Sequence, residues 1–443
     1  MIINGETNAS VRNHPCYLQL PTIQLPDRLD KAVAKYLRDN VPLRPSELTI
    51  AAKNFKIVLW ERALITEKTL QAHVRNLARQ KISSNMLAME NSLNNTDNSE
   101  DLALDDTVKS NVKVISETFR KSVEASVKYE IDDKPNAIRY SENLSNLYLV
   151  ARLAPNFAAS CKVFYEIRKR CPKFMPVNFF DFGSGIGSAA WAANSVWPIG
   201  TIKQHFLVDA STTLLSISEF LLKDGAMKQH LTALPGITHR SYLSSSADIQ
   251  YDIVISCYSL LDIAGGYMSR REIITNLWNK TGKFIVFIEQ GTKAGFQAIL
   301  EARDWLVAST ENEEKPAKIF SPCPHSMACP KSKTACSFPV KFEELRLTEQ
   351  IGELKQENIS FVVLSKGDLS DYYTNEIRQL LSYPRIISYK TSGKVHDLCQ
   401  LDGSANRYFM ETENRSLKRF IRKCEPGDFM PVTEKTQADS LND

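Results

Sequence analysis

The chain has 443 residues, more than one hydrophobic core usually supports, so two or three domains are expected. With 43% hydrophobic and 24% charged residues it is not a mainly disordered or fibrous chain, and a net charge of +4 falls well short of an autonomous nucleic-acid binder. No run approaches the roughly 20 apolar residues of a membrane-spanning helix, so no membrane association is expected.

The first residues, Met1-Ile-Ile-Asn-Gly-Glu-Thr7, lack the charged and apolar regions of a secretory signal. The nine cysteines are therefore expected in a reducing compartment, as free thiols or metal thiolates. As a transit peptide the start is weak, because Glu6 intrudes and Arg12 is the only arginine before Arg28.

Helical periodicity runs from about Leu25 to Lys81, as in Leu29, Val33, Tyr36 and Leu37. A polar, acidic stretch from Asn91 to Asp106 reads as an exposed loop, and helices resume near Thr107–Tyr129 and Ser141–Arg170. The first apolar strand is Val177–Phe182. Further strands at Phe206–Asp209, Tyr251–Ser256 and Phe284–Glu289 alternate with helices at Thr212–Leu222 and Arg270–Asn279, the pattern of a largely parallel sheet. A helix at Lys293–Ser309, a Cys/Pro-rich insertion at Phe320–Phe342 and a strand at Phe361–Leu364 follow. Strands at Ile386–Tyr389, Lys394–Cys399 and Arg407–Met410 make a small β appendix. The expected organisation is a helical region over 1–140, a Rossmann-like α/β domain over 141–380 with the insertion at 320–342, the appendix over 381–431, and a disordered tail over 432–443.

Asp181-Phe-Gly-Ser-Gly-Ile-Gly187 follows an apolar strand and precedes the Ala-rich helix Ser188–Ala193. Glycines let the backbone turn tightly and approach a ligand, and a helix N-terminus presents free N–H groups. The G-x-G-x-G spacing is shorter than the dinucleotide G-x-G-x-x-G and favours the amino-acid end of S-adenosylmethionine. Asp209, at the end of the next strand, is placed to accept ribose hydroxyls. The candidate ligand residues are thus Asp181, Gly183, Gly185, Gly187 and Asp209. After Tyr251–Ser256 there is no Asn/Asp-Pro-Pro-aromatic motif and no Pro-Cys dipeptide, so Cys257 reads as packing and no catalytic residue is assigned.

Cys323, Cys329 and Cys336 form C-x5-C-x6-C in a loop carrying Pro322, Pro324 and Pro330. Thiols on such a surface loop are poor core fillers, whereas soft-metal ligation staples a loop without regular structure. Zinc favours shorter C-x2-4-C knuckles; iron–sulfur clusters accept wider spacings, so the metal stays open here, with His325 a weaker candidate ligand. Cys16, Cys161, Cys171 and Cys424 read as packing, with Cys424 the one alternative to Cys399.

Together these segments resemble the methyltransferase-like protein 17 (Rsm22-like) family of mitochondrial ribosome small-subunit assembly factors. The matching residues are Tyr148–Pro155, Asp181–Gly187, Glu289–Phe296, Glu301–Arg303, Pro322–His325, Cys329-Pro330, Cys336–Phe338, Lys394–Cys399 and Asp402-Gly403. Gln290 departs from the family's usual Pro, and Ala335 and Ser337 from an aromatic and a His. The resemblance implies a class I methyltransferase fold with little or no catalysis and a [4Fe-4S] cluster on Cys323, Cys329, Cys336 and Cys399. It also implies a matrix protein, expected as a monomer, that binds rRNA and proteins of the mitochondrial small ribosomal subunit. The alternative is an active S-adenosylmethionine-dependent rRNA methyltransferase. Arg415, Lys418, Arg419, Arg422 and Lys423 are candidate phosphate contacts, although such runs are commonly just solvated.

Overall fold

The structure, a computed structural model, describes residues 14–64, 138–223, 233–246, 249–263, 266–347, 352–390, 395–409, 418 and 420–431. The helix expected at Thr107–Tyr129, the loop at Asn91–Asp106 and the tail over 432–443 lie outside these residues.

Helix α1 (Asp27–Asn40) buries Leu29, Ala32, Val33, Tyr36 and Leu37, one face at helical spacing, with Asp27 and Asp30 in its first turn. Helix α2 (Pro45–Trp60) starts on a proline, whose missing N–H costs nothing there, and buries Leu48, Ala52, Phe55 and Leu59. Helix α3 (Glu142–Arg170) is capped by the Ser141 hydroxyl, which accepts from the Leu144 amide at 3.4 Å. Its residues are buried on nearly every side between Leu149 and Ile167, which makes it the central helix.

Strands β1 (Asn178–Phe182), β2 (Gln204–Val208), β3 (Ile237–Arg240), β4 (Tyr251–Cys257) and β5 (Thr281–Gln290) pair in parallel in the order β3-β2-β1-β4-β5. Helices α4 (Ser188–Val196), α5 (Thr212–Leu222), α6 (Tyr267–Asn279) and α7 (Lys293–Ser309) connect or follow them. Beyond β5 the sheet turns antiparallel. Strand β8 (Leu354–Lys366) pairs with β5 on one side, and with β6 (Ala317–Ser321) and β7 (Phe338–Glu343) on the other. The strands expected at Phe206–Asp209 and Phe361–Leu364 are thus displaced or extended: Asp209 lies just past β2, and β8 begins at Leu354. The Cys/Pro-rich segment is shorter than 320–342, because its ends are absorbed into β6 and β7.

After helix α8 (Asn375–Leu380), strands β9 (Arg385–Lys390), β10 (Val395–Cys399) and β11 (Ala405–Phe409) form a separate antiparallel sheet in the order β11-β10-β9. It has its own core, in which Ile386, Leu398 and Tyr408 meet Phe420, Ile421 and Met430. The N-terminal residues Cys16 and Leu18 join that core, with the Phe429 amide donating to the Cys16 carbonyl at 3.0 Å. The chain divides into Met1–Leu64, Arg139–Leu261 and Ile273–Asp443 as one compact unit and Ile65–Ile138 with Asp262–Glu272 as another.

Candidate functional site

The loop after β1 turns on three glycines, with φ of 69° at Gly183, 52° at Gly185 and 80° at Gly187, all left-handed. A Cβ at Gly183 would lie 2.3 Å from the Ser259 Cβ, so the loop is pressed against the turn that follows β4. Its amides are used internally. Those of Gly183 and Ser184 donate to the Val208 carbonyl at 2.8 and 3.0 Å, and that of Gly187 donates to the Ser184 carbonyl at 2.8 Å. The Gly185 amide donates to Asp209 Oδ2 at 2.7 Å, while Asp209 Oδ1 accepts from the Ser211 amide at 2.8 Å. The five residues expected to hold a ligand are therefore brought together, but Asp209 grips the loop itself.

Asp181 is 1% exposed and neither carboxylate oxygen has a hydrogen-bond partner among the described residues. Burial, followed by the nearby Asp209 charge, pushes its carboxyl well above the usual range. The cavity beside it, lined by Tyr148, Asn156, Asp181, Ser184 and Cys257, has a volume of about 10 Å³. That is room for one water.

What closes the loop was not foreseen. Asn156 Nδ2 donates to the Tyr148 hydroxyl at 3.1 Å, and Arg152 Nε donates to Asn156 Oδ1 at 3.0 Å. Arg152 Nη1 donates to Glu357 Oε2 at 3.1 Å, and Lys56 pairs with the same carboxylate. The Arg152 guanidinium lies 4.5 Å from the ring centre of Tyr258, a non-glycine residue held at φ 57°. Arg152 and Tyr148 stand in the motif Tyr148–Pro155, which the sequence marked as matching the family without indicating these contacts. Cys257 is buried, its Sγ 3.6 Å from the Ser160 hydroxyl, and burial raises its pKa, as befits a packing thiol.

Cys323, Cys329 and Cys336 lie on the loop between β6 and β7, and Cys399 ends β10 in the other sheet. The fold brings them together. Burial first, then the charges of Cys323, Cys329 and Cys399, raise the Cys336 thiol. Cys399 is pushed up to about 12 by burial and by Cys323 and Cys329. Cys424, the alternative fourth thiol, answers to burial, Asp428 and Cys16 instead. Cysteine thiolates are soft donors, the kind of ligand that soft metals favour. Among the described residues no group of three or more His, Cys, Asp or Glu is arranged around a single metal ion. A polynuclear cluster, which binds each thiolate to a different iron, does not require that arrangement.

His325 is 6% exposed, with Nε2 at 3.2 Å from Cys399 Sγ. Arg303, buried on α7, donates from Nη2 to the carbonyls of His325 at 3.3 Å and Met327 at 2.6 Å. The Ser360 hydroxyl donates to the Cys336 carbonyl at 2.8 Å. Of the basic run, Arg422 and Lys423 are exposed and Lys418 is partly so; Arg415 and Arg419 lie outside the described residues.

A parallel sheet in the order 3-2-1-4-5, a glycine loop after its first strand and an antiparallel extension define a Rossmann-like domain. The chain belongs to the mitochondrial small ribosomal subunit Rsm22 family, whose model matches residues 142–431. It is 31% identical over 432 residues to the human protein "Ribosome assembly protein METTL17, mitochondrial", covering 95% of this chain and 86% of that one. The "Rsm22-cox11 tandem protein 1, mitochondrial" of Schizosaccharomyces pombe is 25% identical over 319 residues, 59% of this chain and 39% of that protein. Magnesium protoporphyrin IX methyltransferase from Synechocystis PCC 6803 overlaps 60% of this chain and 100% of its own, at 10% identity and a TM-score of 0.31, too low to support an assignment.

Proposed function

We propose that this protein is an assembly factor of the mitochondrial small ribosomal subunit, acting in the matrix as a monomer that docks on rRNA and ribosomal proteins. Its methyltransferase-like fold serves as a platform with little or no catalysis, stabilised by a [4Fe-4S] cluster on Cys323, Cys329, Cys336 and Cys399. What supports this reading is that Cys336, on the loop after β6, feels the charges of Cys323, Cys329 and the β10 residue Cys399, in a chain of the Rsm22 family. When bound, a cluster supplies four iron–thiolate bonds that tie the loop after β6 to β10.

Anaerobic purification with iron and sulfide quantification tests the cluster; a colourless, iron-free protein overturns it. Replacing all four cysteines by Ser is expected to lower small-subunit assembly, and normal assembly overturns the platform role. The second reading, an active S-adenosylmethionine-dependent rRNA methyltransferase, is favoured by the left-handed glycines and the unpartnered Asp181 carboxyl. It predicts a missing rRNA methyl group when the protein is absent; an intact pattern beside an assembly defect excludes it.

A further inference from the structure

We infer that the amino-terminal edge of the parallel sheet, opposite the glycine loop, is a docking surface for a protein segment that carries bulky apolar side chains flanked by carboxylates. This rests on the reading of the chain as an assembly factor that binds ribosomal proteins. Ligand pockets of open α/β sheets lie at the carboxyl ends of the strands, so apolar residues exposed at the other end have no small ligand to cover them. At that end Ile199 is 98% exposed, Met175 49% and Val177 45%. Met175 and Val177 lead into β1, and Ile199 sits on the turn that leads into β2.

The backbone brings the three together. The Trp197 indole donates to the Phe174 carbonyl at 3.2 Å, which sets the segment carrying Met175 beside the turn carrying Ile199. The Val177 carbonyl accepts from the amides of Lys203 and Gln204, just past that turn, at 2.8 and 3.2 Å. The turn itself is braced: the Thr201 amide donates to the Pro198 carbonyl at 3.0 Å, Gly200 takes a left-handed φ of 79°, and the flanking Trp197 is buried. A side chain held out on such a turn adds nothing to the core, yet it meets a partner at little ordering cost. Single exposed apolar residues are ordinary on any surface; three on adjoining, rigid segments form the kind of anchor that protein interfaces use.

The rim decides the partner's chemistry. Lys173 precedes Met175, Lys203 lies beside Val177, and Arg168 donates to the Val196 carbonyl at the foot of the turn; all three cations are exposed. The nearby Asp252 carboxylate is engaged by the Val177 and Asn178 amides at 2.6 and 3.1 Å. An apolar centre with a cationic rim is complementary to an apolar segment bordered by Asp or Glu. RNA would gain the same cations but nothing from Ile199, Met175 and Val177, which offer its bases no aromatic face to stack on.

The test uses the full-length protein and purified immature mitochondrial small ribosomal subunits. Because Ile199 and Met175 are exposed, Ile199→Ser combined with Met175→Ser should unfold at the wild-type temperature yet bind the subunits about tenfold more weakly. Lys173→Glu combined with Lys203→Glu should also weaken binding, chiefly by slowing association at low salt. A photo-crosslinking benzoyl-phenylalanine in place of Ile199 reads the partner directly, whichever way the variants fold. The expected product is a ribosomal-protein peptide with Asp or Glu beside bulky apolar residues. A crosslink to rRNA alone, to a second copy of this chain, or none from a bound complex overturns the inference. If wild type itself does not bind the subunits, the assembly-factor reading falls and this surface with it; wild-type binding that either double variant leaves unchanged removes this inference alone.

Discussion

Glu166 holds Arg385 with both carboxylate oxygens, at 2.8 and 2.9 Å, and so fastens the start of β9 to the central helix α3. Arg170, one turn on, shares the carboxylate at 3.0 Å and donates to the Phe320 carbonyl at 2.6 Å, at the base of the cysteine loop. The two guanidiniums also lie 3.8 Å from the Phe320 ring centre and 4.3 Å from that of Phe429. One buried anion therefore sets the spacing between the loop that carries three thiols and the sheet that carries the fourth.

Replacing Glu166 by Gln leaves two buried guanidiniums without their counter-charge and is expected to cost about 3–5 kcal/mol. Burial alone would raise the carboxyl, but Arg385, then Arg170, hold it down at about 2. A depressed carboxyl contributes stability that is present above its ordinary value of 4.5 and is lost as the pH falls from there through 2. Urea denaturation at pH 7 and pH 3 should show that loss in wild type and a smaller loss in Glu166→Gln; equal pH dependence would refute the assignment.

Asp428 has the opposite sign. Burial raises its carboxyl to about 6, although it accepts from the Leu18 amide at 2.6 Å and the Glu425 amide at 2.9 Å. A raised carboxyl stabilises the fold below its unfolded value near 3.8, and that stability is lost as the pH rises toward 6, on the order of 3 kcal/mol. Asp428→Asn should flatten this part of the stability curve, measured by thermal unfolding between pH 4 and 7.

Much of this was legible in the residues. Strand, glycine loop and helix around Asp181–Gly187 announce themselves because a short apolar run, tight-turn residues and an Ala-rich helix adjoin in the chain. The first half of β8, Leu354-Lys-Gln-Glu-Asn, was not, since its polar residues hide a strand in which Glu357 is buried only because Arg152 and Lys56 neutralise it. The closure of the loop by Tyr148 and Asn156, and the grip of Glu166 on Arg385, depend on residues far apart in sequence. No local pattern reports them.

The glycines make a graded test of how tightly the loop is packed. Gly183→Ala combines a left-handed backbone with a Cβ 2.3 Å from Ser259, and should cost about 3–5 kcal/mol. Gly185→Ala meets nothing nearer than the Tyr148 ring at 3.5 Å and should cost only the backbone strain, about 1–2 kcal/mol. Chemical denaturation distinguishes them; equal losses would mean that Ser259 gives way.

Calorimetric titration with S-adenosylmethionine is expected to show binding no tighter than about 1 mM in wild type, because the loop amides are committed and the cavity is about 10 Å³. Micromolar binding would mean that Tyr148 and Asn156 swing aside on contact with the ligand.

Cys424 and Cys399 are both buried near the C-terminal sheet, yet their surroundings separate them. The Cys424 Sγ donates to the Phe420 carbonyl at 3.4 Å within the apolar core that holds Cys16, whereas Cys399 feels Cys323 and Cys329. A thiol bonded to its own helical turn cannot also reach the loop after β6 without dismantling that core. Cys399→Ser should therefore lose most of its iron, since removing one of four ligands leaves three thiolates that still repel one another. Cys424→Ser should keep it, at a stability cost of about 1–2 kcal/mol from a hydroxyl buried in place of sulfur. Iron content per chain, measured side by side after anaerobic purification, settles which cysteine is the fourth ligand.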